Sequence, residues 1–83
     1  MNWLDYKKKF EPCKNWIISN QSLSGAIFWD EKGKCDPWDH CECLIALAIY
    51  EEWEHFWKGV NWFFTNLNED GLIYAEFQNE KPS

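Results

Sequence analysis

Two acidic segments that also carry tryptophan hold most of the side chains able to do chemistry: Trp29-Asp30, and Asp36-Pro37-Trp38-Asp39-His40-Cys41-Glu42. Asp39 and Glu42 stand three residues apart. On a helix they share one face and could pair their carboxylates for acid–base work. Asp36 and Asp39 equally suit the cap and third position of a helix, a role that needs only these residue types at this spacing. Trp29 and Trp38, set beside acids, suit stacking on a sugar or an isoprenoid, with Asp30, Asp36 and His40 as polar partners. Cleaving a glycosidic bond would require a second carboxylate on the opposite wall, about 5–10 Å away, which Asp30 could supply. His40 and Cys41 are adjacent rather than facing, and no third group marks them as a nucleophile pair. The catalytic candidates are therefore Asp39 and Glu42. Trp29, Asp30, Asp36, Trp38 and His40 are candidates for substrate binding, and no metal or cofactor is assigned.

Charge narrows the ligand. The chain has 83 residues and a net charge of −6, and all eight of its bases are lysine. Nucleic-acid binding rests on neutralising phosphates with a basic patch, so no nucleic-acid partner is expected. The missing arginine also removes the guanidinium fork that best fits phosphate. Between Lys34 and Lys58 there are six acids and no base, which favours a neutral hydroxylated or cationic ligand. The N-terminus lacks the basic-then-apolar layout of a secretory signal. The longest apolar run, residues 43–50, is far short of the roughly 20 residues that span a bilayer. The expectation is a soluble, cytoplasmic protein whose four cysteines are reduced thiols.

Three helices would position these residues. Tyr6, Phe10, Cys13 and Ile17 mark the first, interrupted near Phe10-Glu11 by Pro12. Asp36 at the cap and Pro37 at the first helical position open the second, over 37–50. Its stretch from Cys43 to Ile49 has no polar face, which calls for enclosure on several sides. Trp53, Phe56, Trp57, Val60, Phe63, Phe64 and Leu67 form one stripe of the third helix, a pattern that places Trp53 and Trp57 in the core. Glu51, Glu52 and Glu54 fall in its first turn, and Glu69-Asp70-Gly71 makes the turn that follows. Short extended stretches are expected at 26–29 and 72–77, and residues 78–83 read as a frayed tail. The fold class is thus all-α, an α/α-hairpin segment within a single domain. With 46% apolar residues and seven tryptophans, so short a chain cannot hide its aromatics. Self-association or packing against further helices is expected.

An internal repeat organises these elements. Asn15-Trp16, Asn20, Gly25 and Ile27 coincide with Asn61-Trp62, Asn66, Gly71 and Ile73 at a constant offset, giving units of about 5–29 and 51–75 joined by the central helix. The pattern Trp16-Ile17-x3-Gln21-x3-Gly25-x-Ile27, echoed by Lys58-Gly59-x2-Trp62-Phe63-x3-Leu67-x3-Gly71-x-Ile73, resembles the QW repeat of terpenoid cyclases. It is similar also to prenyltransferase β subunits and to prenyltransferase-like toroid proteins of undefined activity. The resemblance implies a piece of an (α/α)6 toroid with its cavity mouth at the start of the central helix. In this chain Ile27 and Ile73 stand where the motif has its last tryptophan, and Leu67 where it has glutamine. The resemblance also implies a prenyltransferase-like zinc pair at Asp39-His40-Cys41. Cys41 and Cys43, however, diverge by roughly 200° on a helix and cannot share one ion. The reading is a partial ring that binds a small molecule, isoprenoid or carbohydrate, without catalysing alone. The alternatives are a homo-oligomerising helical module and a carbohydrate-active (α/α)6 glycosidase-like fragment.

Overall fold

The computed structural model describes residues 2–83. Four helices account for about half of the chain: α1 (Trp3–Lys9), α2 (Glu11–Ser19), α3 (Pro37–Ile49) and α4 (Trp53–Thr65). Three two-residue strands, β1 (Lys34–Cys35), β2 (Phe77–Gln78) and β3 (Lys81–Pro82), make a small antiparallel sheet in that order. The fold is therefore predominantly helical rather than purely all-α.

Local chemistry explains most boundaries. The Asn2 side chain accepts from the Asp5 amide at 3.0 Å and the Asp5 carboxylate accepts from the Asn2 amide, a reciprocal cap that opens α1. Pro12 cannot continue a helix from the preceding turn, so the expected interruption is a break at Phe10, between α1 and α2. Asp36 caps α3 through the Asp39 amide at 3.1 Å, as its position before Pro37 implies.

The start of α4 differs from expectation. Glu51 adopts a left-handed conformation, φ 58°. Its amide donates to Ala48 at 3.0 Å, and the Glu52 amide donates to Leu47 at 2.9 Å. That pair of bonds terminates α3 in the manner usually assigned to glycine. Only Glu54 is left in the first turn of α4.

The tail also departs from expectation. Asn79 and Glu80, both at positive φ, form the tight turn that folds β3 back on β2. Phe77 anchors this hairpin, fully buried with its ring 5.0 Å from that of Trp62. Strands of two residues carry no periodicity, so the sequence gives no warning of them.

The two Trp-to-Gly segments share their local hydrogen bonds. The Asn20 and Asn66 amides donate to the Trp16 and Trp62 carbonyls, each at 2.8 Å. In the turns that follow, Gly25 donates to Ser22 at 3.0 Å and Gly71 to Asn68 at 2.9 Å. The Ser22 amide donates to Ala26 at 2.8 Å, and the Asn68 amide to Leu72 at 2.7 Å. The surroundings of the two turns differ completely. Gly25 lies against α4, where a Cβ would sit 2.0 Å from the Lys58 carbonyl oxygen; a Cβ on Gly71 would meet nothing within 4 Å.

The core is thin. Ile17, Ile27, Leu44 and Leu47 form one cluster, and Ala26, Cys35, Trp62 and Phe77 form the other. Against these eight, fifteen large apolar side chains among the described residues are exposed, including Trp53 and Trp57, which the stripe had placed in the core. The radius of gyration is 13.4 Å, against about 12 Å for a globular chain of this length. Helix α3 is not walled in by this chain. Leu44 and Leu47 are buried, but Ile45 is 61% exposed and Ile49 42%, because α2 and α4 cover only one side.

Both glycines have positive φ, +107° and +78°, so alanine strains either turn by roughly 1 kcal/mol. At Gly25 it must also displace backbone. Gly25→Ala should lose more than about 2 kcal/mol and Gly71→Ala only about 1 kcal/mol in denaturant titrations. Equal losses would contradict the packing just described.

Candidate functional site

The sequence candidates separate into three places. Trp29 and Asp30 follow the Gly25 turn, and together with Trp16, Ser19, Asn20, Glu31 and Lys32 they line a cleft of about 670 Å³. Trp38, Asp39 and Glu42 lie on the exposed face of α3. His40 is inside the protein, 1% exposed.

The cleft is built by the first repeat unit. Asp30 Oδ1 accepts from the amides of Lys32 at 2.9 Å and Lys34 at 3.0 Å, which closes the polar turn leading into β1. Trp29 is held from two directions. Its amide donates to the Lys34 carbonyl at 2.9 Å, and the Lys34 ammonium stands 4.8 Å from its ring centre. A 2.7 Å contact with Glu76 fixes that ammonium and raises the Lys34 pKa. Opposite, Trp16 projects from α2 and is 49% exposed, while Trp29 is 46% exposed. Two half-open indoles, an acid and an amide thus share one concavity. The sequence marked Trp16 as a repeat position but not as a site residue. Its repeat counterpart Trp62 is buried, and no local signal distinguishes the two.

On α3 the polar groups have other work. Asp36 is the helix cap, and Trp38 Nε1 donates to Glu42 Oε1 at 2.6 Å. Partial desolvation, with the negative charges of Asp36 and Glu42 behind it, holds Asp39 above the usual carboxylate value. Asp39 and Glu42 do share a helix face, as their spacing requires. Asp30 lines the other cleft, so it does not face them across the apolar groove of Pro37, Trp38, Cys41, Glu42, Ile45, Phe63 and Ile73, about 470 Å³ in volume.

His40 joins three elements. The Ile27 amide donates to its Nδ1 at 3.3 Å, and its Nε2 lies 2.8 Å from the Gly59 carbonyl oxygen. Both contacts are satisfied only by a neutral ring protonated at Nε2. Its ring packs 4.7 Å from Trp62. Neither nitrogen is left for a ligand. Nearby, Gln21 reaches α4, donating to the His55 carbonyl at 2.8 Å while its own oxygen lies 2.8 Å from His55 Nδ1. The residue marked by the repeat thus staples the first turn to the second unit. The thiols are quiet. Burial pushes Cys35 up to about 12 and also raises Cys41 and Cys43, all four cysteines being unpaired. Among the described residues, no three His, Cys, Asp or Glu side chains converge to hold a metal ion. No described helix is long and apolar enough to cross a membrane.

No protein-family model matches the chain. Over 63 residues, 76% of this chain, the identity is 35% with the MMP endo-(1,4)-3-O-methyl-alpha-D-mannosidase of Mycolicibacterium hassiacum. The match covers 18% of that enzyme, so the chain spans about a fifth of the length of its relative.

Burial lowers the His40 pKa below the ordinary value of 6.5. The unfolded chain therefore binds a proton that the folded chain resists. The stabilising contribution is complete above pH ~6.5 and is lost as pH falls through the folded value. Denaturation midpoints should drop as the solution is acidified from pH 7 towards 5. His40→Gln should be less stable at pH 7, by about 1–3 kcal/mol, and should lack this part of the slope. An unchanged slope in the variant would disprove the assignment.

Proposed function

We propose that the chain is a carbohydrate-binding α/α segment of a mannosidase-like protein, with its sugar site in the Trp16–Trp29 cleft. The observation that carries this is the placement of two half-exposed indoles beside Asp30 and Asn20 in one concavity. A pyranose offers a face of C–H groups, slightly positive, to the negative face of an indole, while its edge hydroxyls reach carboxylate and amide groups. The acidic surface without arginine supports a neutral hydroxylated ligand over a phosphorylated one. The similarity to a mannosidase supports a manno-oligosaccharide within that class.

The segment binds without cleaving. Glycoside hydrolysis needs two carboxylates on opposite sides of the scissile bond, about 5–10 Å apart. The acids of the cleft, Asp30 and Glu31, are neighbours on one turn, and Asp30 Oδ1 is engaged in holding that turn. Asp39 and Glu42 belong to a different surface. In this reading the two repeat units, alike in turn and cap, are consecutive units of an α/α-toroid-type array. The prenyltransferase-like and terpenoid-cyclase-like resemblance belongs to that shared architecture rather than to the chemistry.

Titration of the chain with a 3-O-methylated α-(1,4)-manno-oligosaccharide, followed by tryptophan fluorescence, should give saturable binding without hydrolysis. Trp16→Ala or Trp29→Ala should each weaken it by about tenfold, the loss of one stacked ring. Affinity in either variant equal to that of the unaltered chain, or no binding by the unaltered chain at millimolar ligand, on the order of the weakest specific sugar sites, would overturn the proposal.

A further inference from the structure

The outward face of α3 carries a second, independent surface. At 100° per residue, Trp38, Glu42, Ile45 and Ile49 fall within about 60° of one another. All four are exposed. Their spacing of four, three and four is that of a helix seam made to pack along another helix. The seam runs the length of a 13-residue helix, about 20 Å. A groove opens at each end of it. The N-terminal groove lies between Trp38, Ile45 and Phe63, and its one charged member is Glu42. The C-terminal groove, about 400 Å³, lies between Ile49, Tyr50 and the α1 aromatics Trp3, Tyr6 and Phe10; its one charged member is Lys7. The Tyr50 hydroxyl donates to the Lys7 carbonyl at 2.5 Å, which fixes α1 at that end of α3.

We propose that a second copy of this chain docks on this seam, with the two α3 helices antiparallel about a two-fold axis. The charges choose the direction. An antiparallel pair sets Glu42 of each copy beside Lys7 of the other, whereas a parallel pair sets Glu42 against Glu42 and Lys7 against Lys7. Shape agrees, since each copy offers a groove and exposed aromatic side chains at both ends of the seam. The arrangement is self-complementary, as a two-fold interface must be. It covers Ile45 and Ile49, which the chain alone leaves in water. Other acids near the C-terminal end do not upset the argument: Glu52 is tied to Lys14 at 3.7 Å, and Glu51 and Glu54 line a different hollow with Trp53 and His55. The sugar cleft shares no lining residue with the seam, so this proposal stands or falls separately from the preceding one.

Sedimentation equilibrium of the full chain tests it. A monomer–dimer equilibrium is expected below a protein concentration on the order of 100 μM. Ile45→Glu, at an exposed position mid-seam, should remain folded by circular dichroism and sediment as a monomer. Lys7→Glu and Glu42→Lys should each weaken the dimer by about tenfold. Mixed in equal amounts they should recover it, because the mixed pair restores opposite charges at both ends. A monomer throughout this range, a dimer indifferent to Ile45→Glu, or a mixture no stronger than its components would each overturn the proposal.

Discussion

The close approach of the first repeat turn and of α3 to the backbone of α4 is the constraint on which the rest of the structure depends. Three contacts enforce it within a few residues. Gly25 lies against the Lys58 carbonyl, Gln21 grips His55, and His40 spans from the Ile27 amide to the Gly59 carbonyl. Gly59 suits this approach, since a Cβ there would press on the tip of the Leu44 side chain. A buried loop amide without a partner would be costly, and a buried imidazole with two partners removes that cost. The core of eight buried residues in two clusters is too thin to fix this geometry by packing alone, so directional bonds take over. Trp29 and Asp30 follow the clamped turn directly, and Trp16 sits one helical turn before it. The Trp16–Trp29 cleft inherits its shape from the clamp.

Repetition with unequal surroundings is the second theme. Both turns have the same internal hydrogen bonds, yet one is buried against α4 and the other is open, with Leu72 and Tyr74 exposed beside it. The same inequality makes Trp62 a core residue and leaves Trp16 half-exposed in the cleft. Helical arrays generally behave this way, each unit depending on its neighbour for burial.

Much of this was legible in the sequence where the cause is local. Asp36, Pro37 and Asp39 announce the start of α3 because capping involves only adjacent residues. Pro12 announces the break between α1 and α2, and the Asn-to-Gly spacing announces the paired turns. What escaped depends on residues far apart. The left-handed Glu51 violates local preference because the reversal between α3 and α4 demands it. The β2–β3 hairpin exists because Phe77 finds Trp62, not because its two-residue strands have a pattern. His40 looked like a ligand-facing group from its acidic neighbours, whereas Ile27 and Gly59, remote in sequence, turn it into a bracket. Of the candidate cluster around Asp39, Asp36 is a cap, His40 a buried bracket, and Trp38, Asp39 and Glu42 stay on an exposed face, while Trp29 and Asp30 share their cleft with Trp16.

The protonation of the His40 ring tests this account most directly. Long-range ¹H–¹⁵N correlation spectra of labelled protein at neutral pH distinguish the two imidazole tautomers. The clamp requires the Nε2–H form, an unprotonated Nδ1, and a slowly exchanging Ile27 amide. A ring in the Nδ1–H form, or one averaging between tautomers beside a rapidly exchanging Ile27 amide, would mean that the bracket does not exist.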